Sequence, residues 1–382
     1  MSANGADAHV AGRLSAALKR RVPKTPLLVY PPAIIVFLIL LGGPVLAHGG
    51  EEISSGNWAG AWKPTPEVTL GTVLLLWIYI RGVRTRSRSV PLWRHAFFGG
   101  GVMLVFLSLQ SPIDPIAERL FFMHQVQHML LRIIGPMLAM LAQPQGLLTA
   151  GLPKSVRRWV LVPVMRSRAI RSASGVIRRP VPVFLIFVGS LYFWQVPQIH
   201  NEALVNDPLH YLMHVTMLAA GILFWATIFD PRDPPKGMSH RVRLLLLLGT
   251  VLSNMLLGST TVLTTDVIYG AYDIEGRLFG LDPLTDEGIG GFLIWMPSSM
   301  MSLAAILITF SLWNRSEERG LARRYAWTGS NMAALEFPET AGELRLKTAV
   351  PNRRMAGVLA ALSATAFTVS ISVVVVVTAV AR

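Results

Sequence analysis

Long apolar runs constrain this chain before any motif does. Segments able to cross a bilayer as helices lie near 27–47, 66–80, 95–111, 120–143, 181–199, 209–229, 243–264, 288–312 and 356–380. Nine candidate spans specify an all-α, polytopic integral membrane helical bundle. Composition agrees, with 52% hydrophobic and 15% charged residues, outside the range of ordinary soluble domains.

The formal charge of +14 invites a nucleic-acid reading, which the distribution of basic residues argues against. Arg13, Lys19, Arg20, Arg21 and Lys24 precede the first run, and Arg81, Arg84, Arg86, Arg88 and Arg94 follow the second. Alternate loops repeat the pattern at 154–179, 232–243 and 315–354, whereas the intervening loops are mainly acidic. Basic loops remain cytoplasmic, so the charge reports topology, that of a multi-pass membrane protein with a cytoplasmic N-terminus unless that segment is cleaved. The loop 144–180 reads as a basic connector with short interfacial helices.

The first run has a second reading. A basic lead, the apolar AIIVFLILL, the breaker GGP and Val45-Leu46-Ala47 also build a secretory signal peptide, with cleavage expected after Ala47. His48 would then be a free N-terminus whose amine and ring could chelate a metal; otherwise it is a solvated loop residue. The expected organisation is a signal or first helix over 1–47, a seven-helix core over 48–315, a basic cytoplasmic segment over 316–355 and a C-terminal helix over 356–382.

The chain has no cysteine, which removes thiolate metal sites, disulfides and thiol redox chemistry. No Ser-His-Asp set, phosphate loop or HExxH run falls at a useful position, so no enzyme is expected.

Histidine carries the distinctive signal. MHQVQHM contains His124 and His128, and LHYLMHV contains His210 and His214, two pairs at i, i+4. That spacing stacks both rings of a pair on one helix face, about one turn apart. Both helices enter the membrane from the non-cytoplasmic side, so the pairs share a depth and are able to face one another. His9, His95 and His240 fall on the cytoplasmic side, and His200 is expected as a surface residue of the outer loop, with entry ligation as its functional alternative. Arg132 continues the first stripe one turn deeper, without an obvious acidic partner. Its partners are expected among backbone carbonyls, Gln110, Gln127, Gln195, Asn254 or an anionic group of a bound cofactor. Its charge near His128 favours a neutral ring, as a metal ligand requires.

The pairs admit three readings. Met123, Met129, Met213 and Met217 interleave with them, and Met217 shares the His210/His214 face. Thioether with imidazole suits copper, Cu(I) especially, although methionines on helix faces also simply pack. In the second, haem takes one histidine from each helix and Arg132 meets a propionate, although an i, i+4 pair suits one small site better. In the third, the histidines are structural glue in a metal-free assembly scaffold.

A further element, LTDEGIGGFLIWMPSSMM, sets Asp286 and Glu287 at a helix N-terminus, where carboxylates favour the dipole. Capping of their own helix is the expectation, with cation reception by Asp286 as the alternative. Trp295 is expected as a packing or interfacial aromatic.

MHQVQHMLL with Pro136 and LAQP, then LHYLMHVTMLAAGILFW, then DEGIGGFLIWMP together resemble the CtaG family, assembly factors of caa(3)-type cytochrome c oxidase. The resemblance covers roughly 66–315 and implies a seven-helix core with a copper-related role in oxidase maturation. It implies His124, His128, His210 and His214 as ligands, supported by Asp286 and Trp295. Oxidase subunits are the implied partners, with periplasmic copper chaperones as possible donors.

Overall fold

A computed structural model describes residues 58–327 apart from 63–64, 87–88 and 235–236, together with short stretches between 353 and 372. The first hydrophobic segment, its expected cleavage site and His48 lie outside the described residues. So do 328–352 of the basic segment and much of the last candidate span.

Among the described residues all regular structure is helical. In chain order the main elements are α1 (Pro66–Thr85), α2 (Leu92–Gln110), α3 (Phe121–Leu141), α4 (Gln145–Gly151), α5 (Arg168–Ile177), α6 (Pro180–Trp194), α7 (Pro197–Val205), α8 (Asp207–Ile228), α9 (His240–Val262) and α10 (Pro283–Trp327). Five of them, α1, α2, α8, α9 and α10, are long and apolar enough to cross a membrane alone. The number rises to seven if α3 with α4, bent by 78°, and α5 with α6, bent by 74°, each count as one span. Prolines explain several of these boundaries. Pro180 and Pro197 stand at the first position of α6 and α7, where a missing N–H is harmless.

Two departures from uniform helix matter. Within α3, residues Met129–Ile134 form a π turn immediately after His128, a widening that recurs at functional sites. Within α10, Pro297 deprives the Leu293 carbonyl of its helical donor. The Ser298 hydroxyl supplies one instead, at 3.0 Å, which a lipid-facing helix needs because no water is available to do so.

The main core cluster draws on α1 to α4, α6 and α8 to α10, and an aromatic group within it joins α6 to α8. Phe187 stacks on Phe224 at 4.0 Å, and Trp225 stacks on Phe229 at 5.7 Å. Lipid tails are as apolar as these rings, so close packing, and not transfer from water, holds the helices together. Gly221 shows how close the packing is, because a Cβ there would sit 2.4 Å from the Arg132 carbonyl oxygen. On the outside of α10, Phe292, Met296, Met300, Leu303, Leu307 and Phe310 are exposed at spacings of three and four, one apolar stripe suited to lipid. The connector 154–177 is helical, with an exposed Trp159 and no buried residue in α5, as expected of a segment on the membrane surface.

Candidate functional site

The two histidine pairs converge. His124 and His128 lie with ring centroids 4.3 Å apart on α3, and His210 and His214 lie 4.5 Å apart on α8. Between helices, His124 is 5.2 Å from His210 and 5.9 Å from His214, while His128 is 5.7 Å from His214. One nitrogen from each of His124, His128 and His214 falls within 4.8 Å of the other two, and all three residues are buried. His210 is less deeply set and joins the cluster by ring contact.

Helix contacts produce this convergence. Gly221 lets α8 lie against the π turn of α3, and the Trp225 indole donates to the Arg132 carbonyl at 3.2 Å. That carbonyl sits in the widened turn, so the indole supplies a partner that helix geometry alone does not guarantee. His128 lies one turn before Arg132 and His214 two turns before Gly221, on the faces this contact brings together.

Nitrogens that protein groups leave unmet mark the centre of the cluster. His124 Nε2, both ring nitrogens of His128 and His214 Nε2 are buried without a hydrogen-bond partner. Each unmet buried group costs on the order of 1–3 kcal/mol. A cation accepting their lone pairs offsets that cost, so the donor set fits a metal ion held by imidazoles.

His200 corrects the sequence expectation. Instead of standing on the outer surface it is fully buried, 5.1 Å from His124 by ring centroids. Its Nδ1 donates to the Trp194 carbonyl at 2.9 Å, and its Nε2 lies 2.8 Å from the Tyr272 hydroxyl. The same hydroxyl lies 2.6 Å from His124 Nδ1. Burial depresses the His200 pKa to about 4 against the opposing pull of the Trp194 carbonyl, so the ring is neutral. Burial, aided by the Asp286 charge, raises the Tyr272 phenol well above its ordinary value, so its proton stays in place.

Tyr272 and its neighbour Tyr269 escaped the sequence reading. They belong to the loop between α9 and α10, which the sequence showed only as acidic. The one available signal was two aromatics three residues apart in IYGAYD. Tyr269 stacks on Phe121 at 4.3 Å and donates to the backbone and side-chain oxygens of Gln195 at 2.9 and 3.0 Å.

Asp286 and Glu287 also depart from expectation. Although they stand in the first turns of α10, their carboxylates serve other segments. Asp286 accepts the backbone N–H groups of Phe121 and Phe122, each at 2.9 Å, and so caps the helix that carries His124 and His128. Glu287 accepts from Ile268 and Tyr269 at 3.1 and 2.9 Å. Arg277 pairs with Asp286 and lies 3.4 Å from Glu287, with all three side chains buried. Asp286 is therefore a buried structural carboxylate, not a receptor for cations at the aqueous surface.

Other marked residues find packing partners. Arg132 is buried and donates to the Phe187 carbonyl at 2.7 Å, with its guanidinium 3.7 Å over the Phe187 ring. Of its expected amide partners, Gln110, Gln127 and Gln195 bond elsewhere. Met213 and Met217 are buried with Leu191, Trp194, Ala203 and Ile294, whereas Met123 and Met129 pack against two further apolar clusters. Trp295 packs at the crossing of α9 and α10, where a Cβ at Gly258 would lie 2.7 Å from it.

The family model for the cytochrome c oxidase caa3 assembly factor, Caa3_CtaG, matches residues 76–316, a segment that contains all five clustered histidines. The chain belongs to this family. The likeness read from the MHQVQHMLL, LHYLMHVTM and DEGIGGFLIWMP segments is thus borne out. Within the Caa3_CtaG match lie α2 to α9, the second half of α1 and α10 as far as residue 316. An uncharacterized protein of Mycobacterium leprae is 25% identical over 265 residues, which cover 66% of this chain and 39% of that protein. Uncharacterized proteins of Mycobacterium bovis and Mycobacterium tuberculosis are each 24% identical over 260 residues, covering 66% of this chain and 38% of theirs. The chain thus spans less than half the length of these curated relatives. No solved structure matches it.

Proposed function

We propose that this chain supports maturation of a cytochrome c oxidase by holding copper transiently between α3 and α8, at His124, His128 and His214 with His210 beside them. The observation that carries the reading is the set of buried imidazole nitrogens within 4.8 Å of one another on two helices. Family membership supports the oxidase as the partner served. The cation is cargo, and its transfer needs ligand exchange only.

Cu(I) suits the site because imidazole donors match a soft ion that accepts low coordination numbers, and Met217, packed one turn deeper on the His214 face, is the thioether such an ion would recruit. Arg132 lies one turn below His128 and limits how strongly positive charge is retained there. His124 and His210 stand in the first turns of α3 and α8, at the ends joined to the acidic outer loops, so delivery and release on the periplasmic side follow from the charge pattern. A copper-receiving oxidase subunit and a periplasmic donor protein are the partners this reading requires.

The haem reading is less well supported. A tetrapyrrole needs a slot between its two axial imidazoles, whereas these rings pack on one another at 4.3–5.9 Å.

Metal analysis of the purified protein tests the proposal, with the His124, His128, His210 and His214 quadruple alanine variant as control. About one copper per chain is expected in wild type after exposure to Cu(I), and none in the variant. A Soret band with stoichiometric iron, or equal copper in both proteins, overturns it.

A further inference from the structure

Four groups form an unbroken chain of hydrogen bonds: the Trp194 carbonyl, His200, the Tyr272 hydroxyl and His124. Its polarity follows from elementary donor and acceptor rules. A carbonyl oxygen can only accept, so His200 Nδ1 carries the proton that faces Trp194. A neutral imidazole has one N–H, which leaves His200 Nε2 as an acceptor. The Tyr272 O–H must then donate to that nitrogen, and its oxygen must accept from His124 Nδ1–H. His124 is left with its lone pair on Nε2, the atom that is buried without a protein partner. The opposite polarity would set a bare His200 Nδ1 against a carbonyl oxygen at 2.9 Å, or bury an imidazolium.

We propose that Tyr272 and His200 are positioning residues that lock His124 in its Nδ1–H tautomer and so offer Nε2 to the cation shared with His128 and His214. The surroundings hold the hydroxyl in place. Tyr272 is fully buried, packs edge-on to Phe121 at 5.9 Å and lies beneath the Arg277 guanidinium at 5.6 Å. Arg277 is fastened to Asp286 and Glu287 of α10. The loop between α9 and α10 thereby controls a ligand on α3 without touching the cation. A ring already neutral and correctly protonated has no proton to lose on binding, whereas an unlocked ring would spend half or more of its time with Nε2 protonated.

The tautomer itself is independent of the copper reading, on which only the identity of the cation rests. Nitrogen NMR of the metal-free protein reads it directly. His124 is the one histidine followed by glutamine, so paired isotope labelling of those two residue types assigns its ring without any variant. A wild-type His124 ring protonated at Nδ1 and bare at Nε2 is expected, with mixed tautomers in Tyr272→Phe. A wild-type ring protonated at Nε2 overturns the inference, as does an unchanged His124 spectrum in the variant. Cu(I) competition against a chromophoric chelator should show about tenfold weaker binding in Tyr272→Phe. If wild type takes up no Cu(I), the copper reading fails, and the nitrogen spectrum still decides the tautomer.

Discussion

The Asp286 carboxylate accepts the backbone N–H of Phe121 at 2.9 Å, joining two residues 165 positions apart. Through this bond the eighth candidate span of the sequence caps the fourth. The helix that presents His124 and His128 thus starts from a fixed point, and the same carboxylate neutralises Arg277 of the outer loop.

Replacing Asp286 by alanine should therefore unfasten three things together: the α3 terminus, the buried Arg277 and the loop bearing Tyr272. Removal of one partner from a buried ion pair costs about 3–5 kcal/mol. A clear fall in melting temperature in detergent is expected, with Asp286→Asn intermediate because its amide retains one acceptor oxygen. An alanine variant that melts like wild type would show that the cap is dispensable.

Single substitutions in the cluster should separate metal retention from folding. His128→Ala removes a ring whose two nitrogens have no protein partner, so the loss of packing is offset by removal of unmet polar atoms. The metal-free variant should melt within about 2 kcal/mol of wild type, yet retain at least about tenfold less copper. Parallel thermal melts and metal analysis check both halves.

Gly221 should tolerate no side chain. A Cβ 2.4 Å from the Arg132 carbonyl must displace α8 from the π turn, and overpacking of this kind costs about 1–3 kcal/mol. Gly221→Ala is expected to lower both the melting temperature and copper retention, because the displaced helix carries His214. Retained copper in a destabilised variant would uncouple the contact from the site.

Alkaline pH should loosen the outer loop. Burial, with the nearby Glu287 charge, raises the Tyr269 phenol above its ordinary value. A group with a raised folded pKa contributes stability that is present below the unfolded value, about 10 for tyrosine, and is lost as pH rises above it. Melting temperatures followed from pH 8 to 11 should fall above about 10 in wild type, and fall less in Tyr269→Phe.

Much of the architecture was legible in the sequence, since apolar run length and the alternation of basic and acidic loops are set locally by the cost of burying charge in lipid. The i, i+4 spacing of His124/His128 and His210/His214 was legible for the same kind of reason, because a helix dictates which side chains share a face. That the faces meet depends on Gly221 and the π turn, which are long-range packing facts. His200 read as an exposed loop residue because nothing local distinguishes a polar residue facing water from one facing a buried hydroxyl. Tyr272 and Asp286 reach partners 148 and 165 positions away, so their roles became visible only once distant segments were folded together. Run length and helix geometry alone specify membrane helices that carry two histidine pairs. Tertiary structure decided which nitrogens remain unmet, because that depends on every donor and acceptor the fold brings within reach.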